Sequence, residues 1–177
     1  MKALILNSGL GTRMGALTDD CPKCMTEIMD DSTTIISRQL GMLCSAGIKD
    51  IVITTGYCEK VLIDYCDSLG LPVDINFINN EKYSETNYIY SIYCAREYLD
   101  DDIVLIHGDM VFDYSILEGM LKEENSCMAV SKTAKLPEKD FKAVVSDNRI
   151  HKVGIEFFEN AIAAQPLYKI NKTDWNI

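Results

Sequence analysis

Apolar positions fall along the chain in short blocks with two different periods. Residues 2–7 (KALILN) form a near-continuous apolar run of buried-strand length. Residues 34–46 place Ile35, Ile36, Leu40, Leu43 and Cys44 at helical spacing, and Gly47 follows as a stop. Residues 50–54 (DIVIT) read as a second buried strand. Residues 58–69 return to helical spacing, with Val61, Leu62, Tyr65, Cys66 and Leu69 on one face and Gly70 at the end. The same reading predicts strands at 73–78, 103–107 and 126–131, and helices at 87–99 and 114–122.

After residue 131 the pattern changes. Segments 142–145 and 150–153 flank Ser146-Asp147-Asn148-Arg149, which reads as a hairpin. A further strand is expected at 163–170, and Asn171 or Thr173 would cap a short helix. Repeated strand–helix–strand units predict an α/β fold: a mostly parallel sheet with helices on both faces, and antiparallel strands added at one side. No repeat, low-complexity tract or linker interrupts the chain, so residues 1–177 are expected to form one domain.

Charge narrows the partners. Lys and Arg number 17 against 27 Asp and Glu, a net charge of −10. That balance argues against nucleic acid and against an anionic membrane surface. No apolar run approaches the roughly 18 residues that span a bilayer. The first residues enter a strand with no signal-peptide pattern, so a cytoplasmic location and reduced thiols are expected. Of the 7 cysteines, Cys44, Cys66 and Cys94 fall in helical apolar patterns. Cys21 and Cys24 have CxxC spacing, but a zinc site wants a second ligand pair, and the two histidines do not supply an obvious one.

The most informative stretch follows the first strand: Asn7-Ser8-Gly9-Leu10-Gly11-Thr12-Arg13-Met14, then Pro22-Lys23. Ligands of open α/β sheets sit beyond the carboxyl ends of the strands, and this loop lies there. Its glycines let backbone N–H groups approach phosphate oxygens. Arg13 offers a bidentate phosphate contact and Lys23 a point charge. A dinucleotide fingerprint fits poorly, because Gly15 falls one residue late. A Walker P-loop is absent. A tight glycine turn with a surface arginine stays open on Gly9 and Gly11 alone.

The whole pattern resembles the signature of the GT-A-like nucleotidyltransferases, in which a strand leads into G-x-G-x-R-[ML] and a Pro-Lys follows about ten residues on. Asn7-Ser8 departs from the usual Ala-Ala. Thr54-Thr55-Gly56-Tyr57 and the segment from Tyr83 through Asn87-Tyr88-Ile89-Tyr90-Ser91 resemble blocks of the phosphocholine cytidylyltransferases and their 2-aminoethylphosphonate relatives. The resemblance implies a three-layer α/β/α sandwich with a mixed sheet. It implies transfer of CMP from CTP to a small phosphorylated or phosphonate amino-alcohol, with release of pyrophosphate. A sugar-1-phosphate acceptor, or a weakly active nucleotide-binding remnant of the same fold, is the alternative.

On that resemblance Arg13 and Lys23 are catalytic. Nucleotide contacts fall to Asn7, Ser8, Gly9, Leu10, Gly11, Thr12, Gly56, Tyr57, Thr86, Asn87 and Ser91. Asn87 reads either as a helix cap or as a pyrimidine reader, and the two roles are compatible. Tyr88 and Tyr90 are expected to pack rather than stack on a base. Asp109 follows the apolar strand 103–107 after Gly108, where one carboxylate suits Mg²⁺, although a turn aspartate in Gly108-Asp109-Met110 is the alternative. His107 is left without a role. Lys142, Glu156 and Gln165 are candidates for the acceptor, although a solvated edge lysine explains Lys142 equally well.

The resemblance further implies a last strand, a helix and a second metal-binding Asp after Ile177. A sheet edge left open there would favour a homodimer.

Overall fold

The computed structural model describes residues 1–9, 11, 20–29 and 31–175. Strand β1 (Lys2–Leu6) lies at the centre of the parallel part of the sheet. β2 (Asp50–Thr55) pairs with it on one side and β4 (Ile103–His107) on the other, both parallel. β3 (Asp74–Asn79) joins β2, also parallel. Alternate side chains of β1 point to opposite faces, as a strand dictates. Ala3 and Ile5 enter one apolar cluster; Leu4 and Leu6 enter the other.

The first face is covered by α1 (Ile35–Ser45), α2 (Glu59–Ser68) and α4 (Tyr114–Leu121) through Ile36, Leu40, Leu43, Leu62, Cys66 and Leu117. The second is covered by α3 (Tyr88–Ala95) and the segment after it, through Ala95 and Leu99. Three layers result, as the alternating periods require. α1 starts at a reciprocal cap: the Thr34 hydroxyl accepts from the Ser37 N–H, and Ser37 Oγ accepts from the Thr34 N–H. It ends before Gly47, whose φ of +79° suits a residue without Cβ.

Past β5 (Cys127–Ser131) the sheet turns antiparallel. β6 (Lys142–Ser146) and β7 (Arg149–Gly154) form the hairpin expected from the sequence. Its turn residues Asp147 and Asn148 both adopt positive φ, at 50° and 58°, the geometry that tight hairpins prefer. β8 (Ala161–Ile170) runs antiparallel to β4 and also pairs β5 and β6. The order is β3-β2-β1-β4-β8-β6-β7, with β5 on β8.

Two expectations change in detail. The helix predicted over 87–99 is α3 followed by a separate 3₁₀ turn at Arg96–Tyr98, with Asn87 as its cap. The helix start expected at 171–175 is a single 3₁₀ turn, Lys172–Asp174, following Asn171. No helix among the described residues is long and apolar enough to cross a membrane.

All seven cysteines stand as thiols. Burial raises the Cys66 thiol to about 12 and shifts Cys24 further in the same direction.

Candidate active site

The carboxyl ends of β1, β3 and β4 surround a cavity of ≈ 300 Å³. Three backbone bonds lock its floor. The Asn7 N–H donates to the Thr54 carbonyl at 3.1 Å, Gly108 N–H to Leu6 O at 3.0 Å, and Asn80 N–H to Thr55 O at 2.9 Å. The loop after β1 contributes Asn7, Ser8, Gly9 and Gly11 to the lining; Lys23 and Asp109 face the same space. Lys23 Nζ donates to Asp109 Oδ2 at 2.6 Å. Both side chains are partly exposed, so the pair adds little to stability, and its position matters more than its strength.

The Asp109 loop is held from α1. Buried Gln39 donates through Nε2 to the His107 carbonyl at 3.1 Å and the Met110 carbonyl at 2.8 Å. Arg38 donates to the Phe112 carbonyl at 3.0 Å. In the sequence Gln39 is a polar residue inside the apolar stripe of α1, the one local sign of this role.

The opposite wall comes from residues 80–91. Asn80 is fully enclosed and donates through Nδ2 to Thr86 Oγ1 at 3.1 Å and Ser91 Oγ at 3.0 Å. Its Oδ1 accepts from the Lys82 N–H at 2.9 Å. Asn87 caps α3, accepting from the Ile89 N–H at 3.0 Å, and also lines the cavity. Tyr83, Tyr88 and His107 complete the wall. Tyr88 and His107 lie with ring centroids 5.1 Å apart. Burial holds His107 below its ordinary pKa against the opposing pull of Asp109, which favours the neutral ring at pH 7.

Of the sequence-predicted residues, Asn7, Ser8, Gly9, Gly11, Lys23, Thr86, Asn87, Ser91 and Asp109 come together here. Leu10, Thr12 and Arg13 lie outside the described residues. Gly56 and Tyr57 are not part of the lining. Gly56 supports it instead: a Cβ there would stand 2.8 Å from the Ser8 carbonyl and from Tyr83. Tyr88 faces the cavity rather than only packing, whereas Tyr90 stacks near Tyr93, with Lys82 over its ring.

Lys142, Glu156 and Gln165 also stand outside the lining. Lys142 is not a solvated edge lysine. It is fully buried, donating to the Pro137 carbonyl at 2.7 Å and the Asp140 carbonyl at 3.2 Å, with Phe158 4.1 Å from its ammonium. Its register partner Ala163 lies beyond the point where β8 leaves β4, so Lys142 sits on the ligand side of the sheet. Glu156 is exposed and Gln165 half-buried.

The residues sequence reasoning missed are Asn80, Tyr83, His107 and Gln39. Asn80 had one findable sign: it immediately follows a strand whose carboxyl end lies beside that of β2.

Asp109 fits a divalent cation on the chemistry of its donor set: a hard carboxylate facing the cavity that already holds one cation, the Lys23 ammonium. Among the described residues no group of three or more His, Cys, Asp or Glu gathers at any one place.

Known proteins resemble this chain in sequence and fold. A CTP:phosphoglutamine cytidylyltransferase of Campylobacter jejuni is 30% identical over 155 residues, covering 83% of this chain and 59% of the relative. A choline-phosphate cytidylyltransferase of Streptococcus pneumoniae is 33% identical over 112 residues, 63% of this chain and 46% of the relative. The chain thus spans about half the length of these relatives. Among solved structures, the inositol-1-phosphate CTP transferase of T. maritima superposes with a TM-score of 0.81 at 26% identity, covering 97% of this chain and 71% of that one. Residues 3–152, from β1 into β7, match the family described as the MobA-like NTP transferase domain, and the chain belongs to that family.

Proposed function

We propose that the protein is a cytidylyltransferase that transfers CMP from CTP to a small phosphorylated or phosphonate acceptor and releases pyrophosphate. The observation that carries this reading is the Lys23–Asp109 pair at 2.6 Å, set in the same cavity as the Asn80–Thr86–Ser91 network. One end of the cavity offers charge for phosphates. The other offers paired amides, hydroxyls and aromatic rings for a base.

The chemistry is in-line displacement. An acceptor oxygen attacks the α-phosphorus, and pyrophosphate leaves. The acceptor phosphate is already ionised at pH 7, so no general base is required. Catalysis then rests on positioning and on charge placed where it develops. Lys23 holds a phosphate oxygen of the nucleotide, and Arg13, from the glycine loop, holds the departing phosphates. Asp109, fixed by Gln39 through the backbone of its loop, would hold Mg²⁺; when bound, that ion neutralises phosphate charge. Asn87 and the hydroxyls of Thr86 and Ser91 face the base.

The relatives support CTP as donor, through the phosphoglutamine, choline-phosphate and inositol-1-phosphate enzymes. They differ in acceptor. An amino-alcohol phosphate or phosphonate is the first choice. A cyclic polyol or sugar-1-phosphate is the second, favoured by the high superposition on the inositol-1-phosphate enzyme. The test is pyrophosphate release with Mg²⁺, the four ribonucleoside triphosphates and an acceptor panel. That panel holds phosphocholine, 2-aminoethylphosphonate, phosphoglutamine, inositol-1-phosphate and glucose-1-phosphate. Release with CTP and one acceptor supports the reading. CTP binding without release from any pair supports a nucleotide-binding remnant.

A further inference from the structure

Two polar side chains, Asn7 and Ser8, follow β1 at its carboxyl end. Asn7 and Ser8 are each 8% exposed, and both line the cavity. Asn7 Nδ2 and Ser8 Oγ are closed off from water and have no hydrogen-bond partner among the described residues. Buried amides and hydroxyls are almost always paired, because leaving one unpaired is costly. A bound group that supplies the missing partners removes that penalty.

Their neighbours place them between the two ends of the cavity. Ser8 abuts the base-side wall: a Cβ on Gly56 would be 2.8 Å from both the Ser8 carbonyl and Tyr83 Cβ. Asn7 abuts the phosphate side: a Cβ on Gly108, the residue before Asp109, would lie 1.6 Å from Asn7 Oδ1. Gly108 is therefore the space in which the Asn7 amide sits. A nucleotide spanning from the Asn80–Ser91 wall to Lys23 and Asp109 carries its sugar past these two residues.

Resting on the proposed nucleotide reading, we infer that the Asn7 amide and the Ser8 hydroxyl read the ribose hydroxyls of the donor. They would make the enzyme selective for ribonucleotides. Asn7 Nδ2 donates to a hydroxyl oxygen, and Ser8 Oγ donates to or accepts from the same diol. A sugar lacking the hydroxyl leaves the buried groups unpaired again, which is the strongest basis for rejecting an analogue.

The experiment measures binding of CTP, 2′-deoxy-CTP and 3′-deoxy-CTP by calorimetry to the wild type, Asn7→Ala and Ser8→Ala. The ratio of dissociation constants within each protein is independent of how much of a variant is folded. The wild type is expected to bind at least one deoxy analogue about 10-fold more weakly than CTP, with that ratio falling toward one in either variant. Equal binding of all three by the wild type overturns the inference. So does a ratio unchanged in both variants, or an equal loss for all three nucleotides. If the wild type binds none of them, the nucleotide reading itself fails and this inference falls with it.

Discussion

The two ends of the parallel strands are built on opposite principles. At the amino ends, charge meets charge. Lys2 Nζ lies 2.7 Å from Asp100 and 3.2 Å from Asp50, and the terminal amine pairs with Asp101. Asp102 also accepts from the Lys172 N–H at 2.8 Å. At the carboxyl ends, Asn7 Nδ2 and Ser8 Oγ are buried and lack partners among the described residues. Both ends terminate the same strands, so the difference does not come from backbone pairing. At the amino ends the Trp175 indole Nε1 is also buried without a partner among the described residues, but it packs against the second apolar cluster, whereas Asn7 and Ser8 line the cavity. Unpaired groups on residues that line a cavity can be satisfied by a ligand.

The sharpest break in this comparison comes from Lys23. Lys23→Ala is expected to lower kcat/KM by about 100-fold or more, because it removes charge where it develops in the transition state. Its melting temperature should stay near that of the wild type, since an exposed pair stabilises little. Steady-state kinetics and a thermal melt check the two halves. Near-wild-type turnover would remove Lys23 from the chemistry.

Gly108→Ala should act next most strongly. The new methyl collides with the Asn7 amide, and overpacking of this kind destabilises by about 1–3 kcal/mol. The added substitution Asn7→Ala empties that space, so the double variant should recover stability while staying impaired for nucleotide. A double-mutant cycle by denaturant unfolding reads the coupling.

Asn80→Ala removes three side-chain hydrogen bonds, to Thr86, Ser91 and the Lys82 N–H, and leaves the buried Ser91 hydroxyl without that partner. It should cost about 1–3 kcal/mol in unfolding free energy and raise KM for nucleotide.

The smallest effect belongs to the amino ends. Lys2 and Asp100 are hydrogen-bonded, which lowers the Asp100 pKa. A lowered carboxylate stabilises the fold above its unfolded pKa, near 3.9, and that contribution fades as pH falls below it. Asp100→Asn should therefore flatten the acid limb of a pH–stability curve below about pH 4 and leave kcat/KM unchanged at pH 7.

The sheet was legible in the sequence because burial on two faces writes itself locally. Ala3, Leu4, Ile5 and Ile51, Val52, Ile53 are wholly buried runs, and no other assignment hides them. The hairpin was legible because Asp147 and Asn148 tolerate positive φ. That Gly9, Gly11, Lys23 and Asp109 share one cavity could be read from the resemblance, because the loop after β1 and the end of β4 lie at the same edge of the sheet. The wall formed by residues 80–91 was only half visible. Asn87 and Ser91 stood out by resemblance, but Asn80 gains its meaning from bonds to Ser91 eleven positions away, across a turn. Gln39 gains its meaning from carbonyls 68 and 71 residues later. Lys142 shows the same limit. Its position on a short strand left an acceptor contact and a solvated ammonium both open, whereas the Pro137 carbonyl and Phe158 enclose it. Side chains whose partners are set by tertiary closure leave no periodic trace.

Hydrogen exchange with and without CTP and Mg²⁺ tests the central contrast most directly. Added nucleotide should protect the amides of residues 6–11, 80–91 and 107–110, with exchange around Lys2, Asp50 and Asp100–Asp102 unchanged. Protection at the amino ends alone, or no change at either end, would contradict the assignment of the carboxyl-end cavity as the nucleotide site.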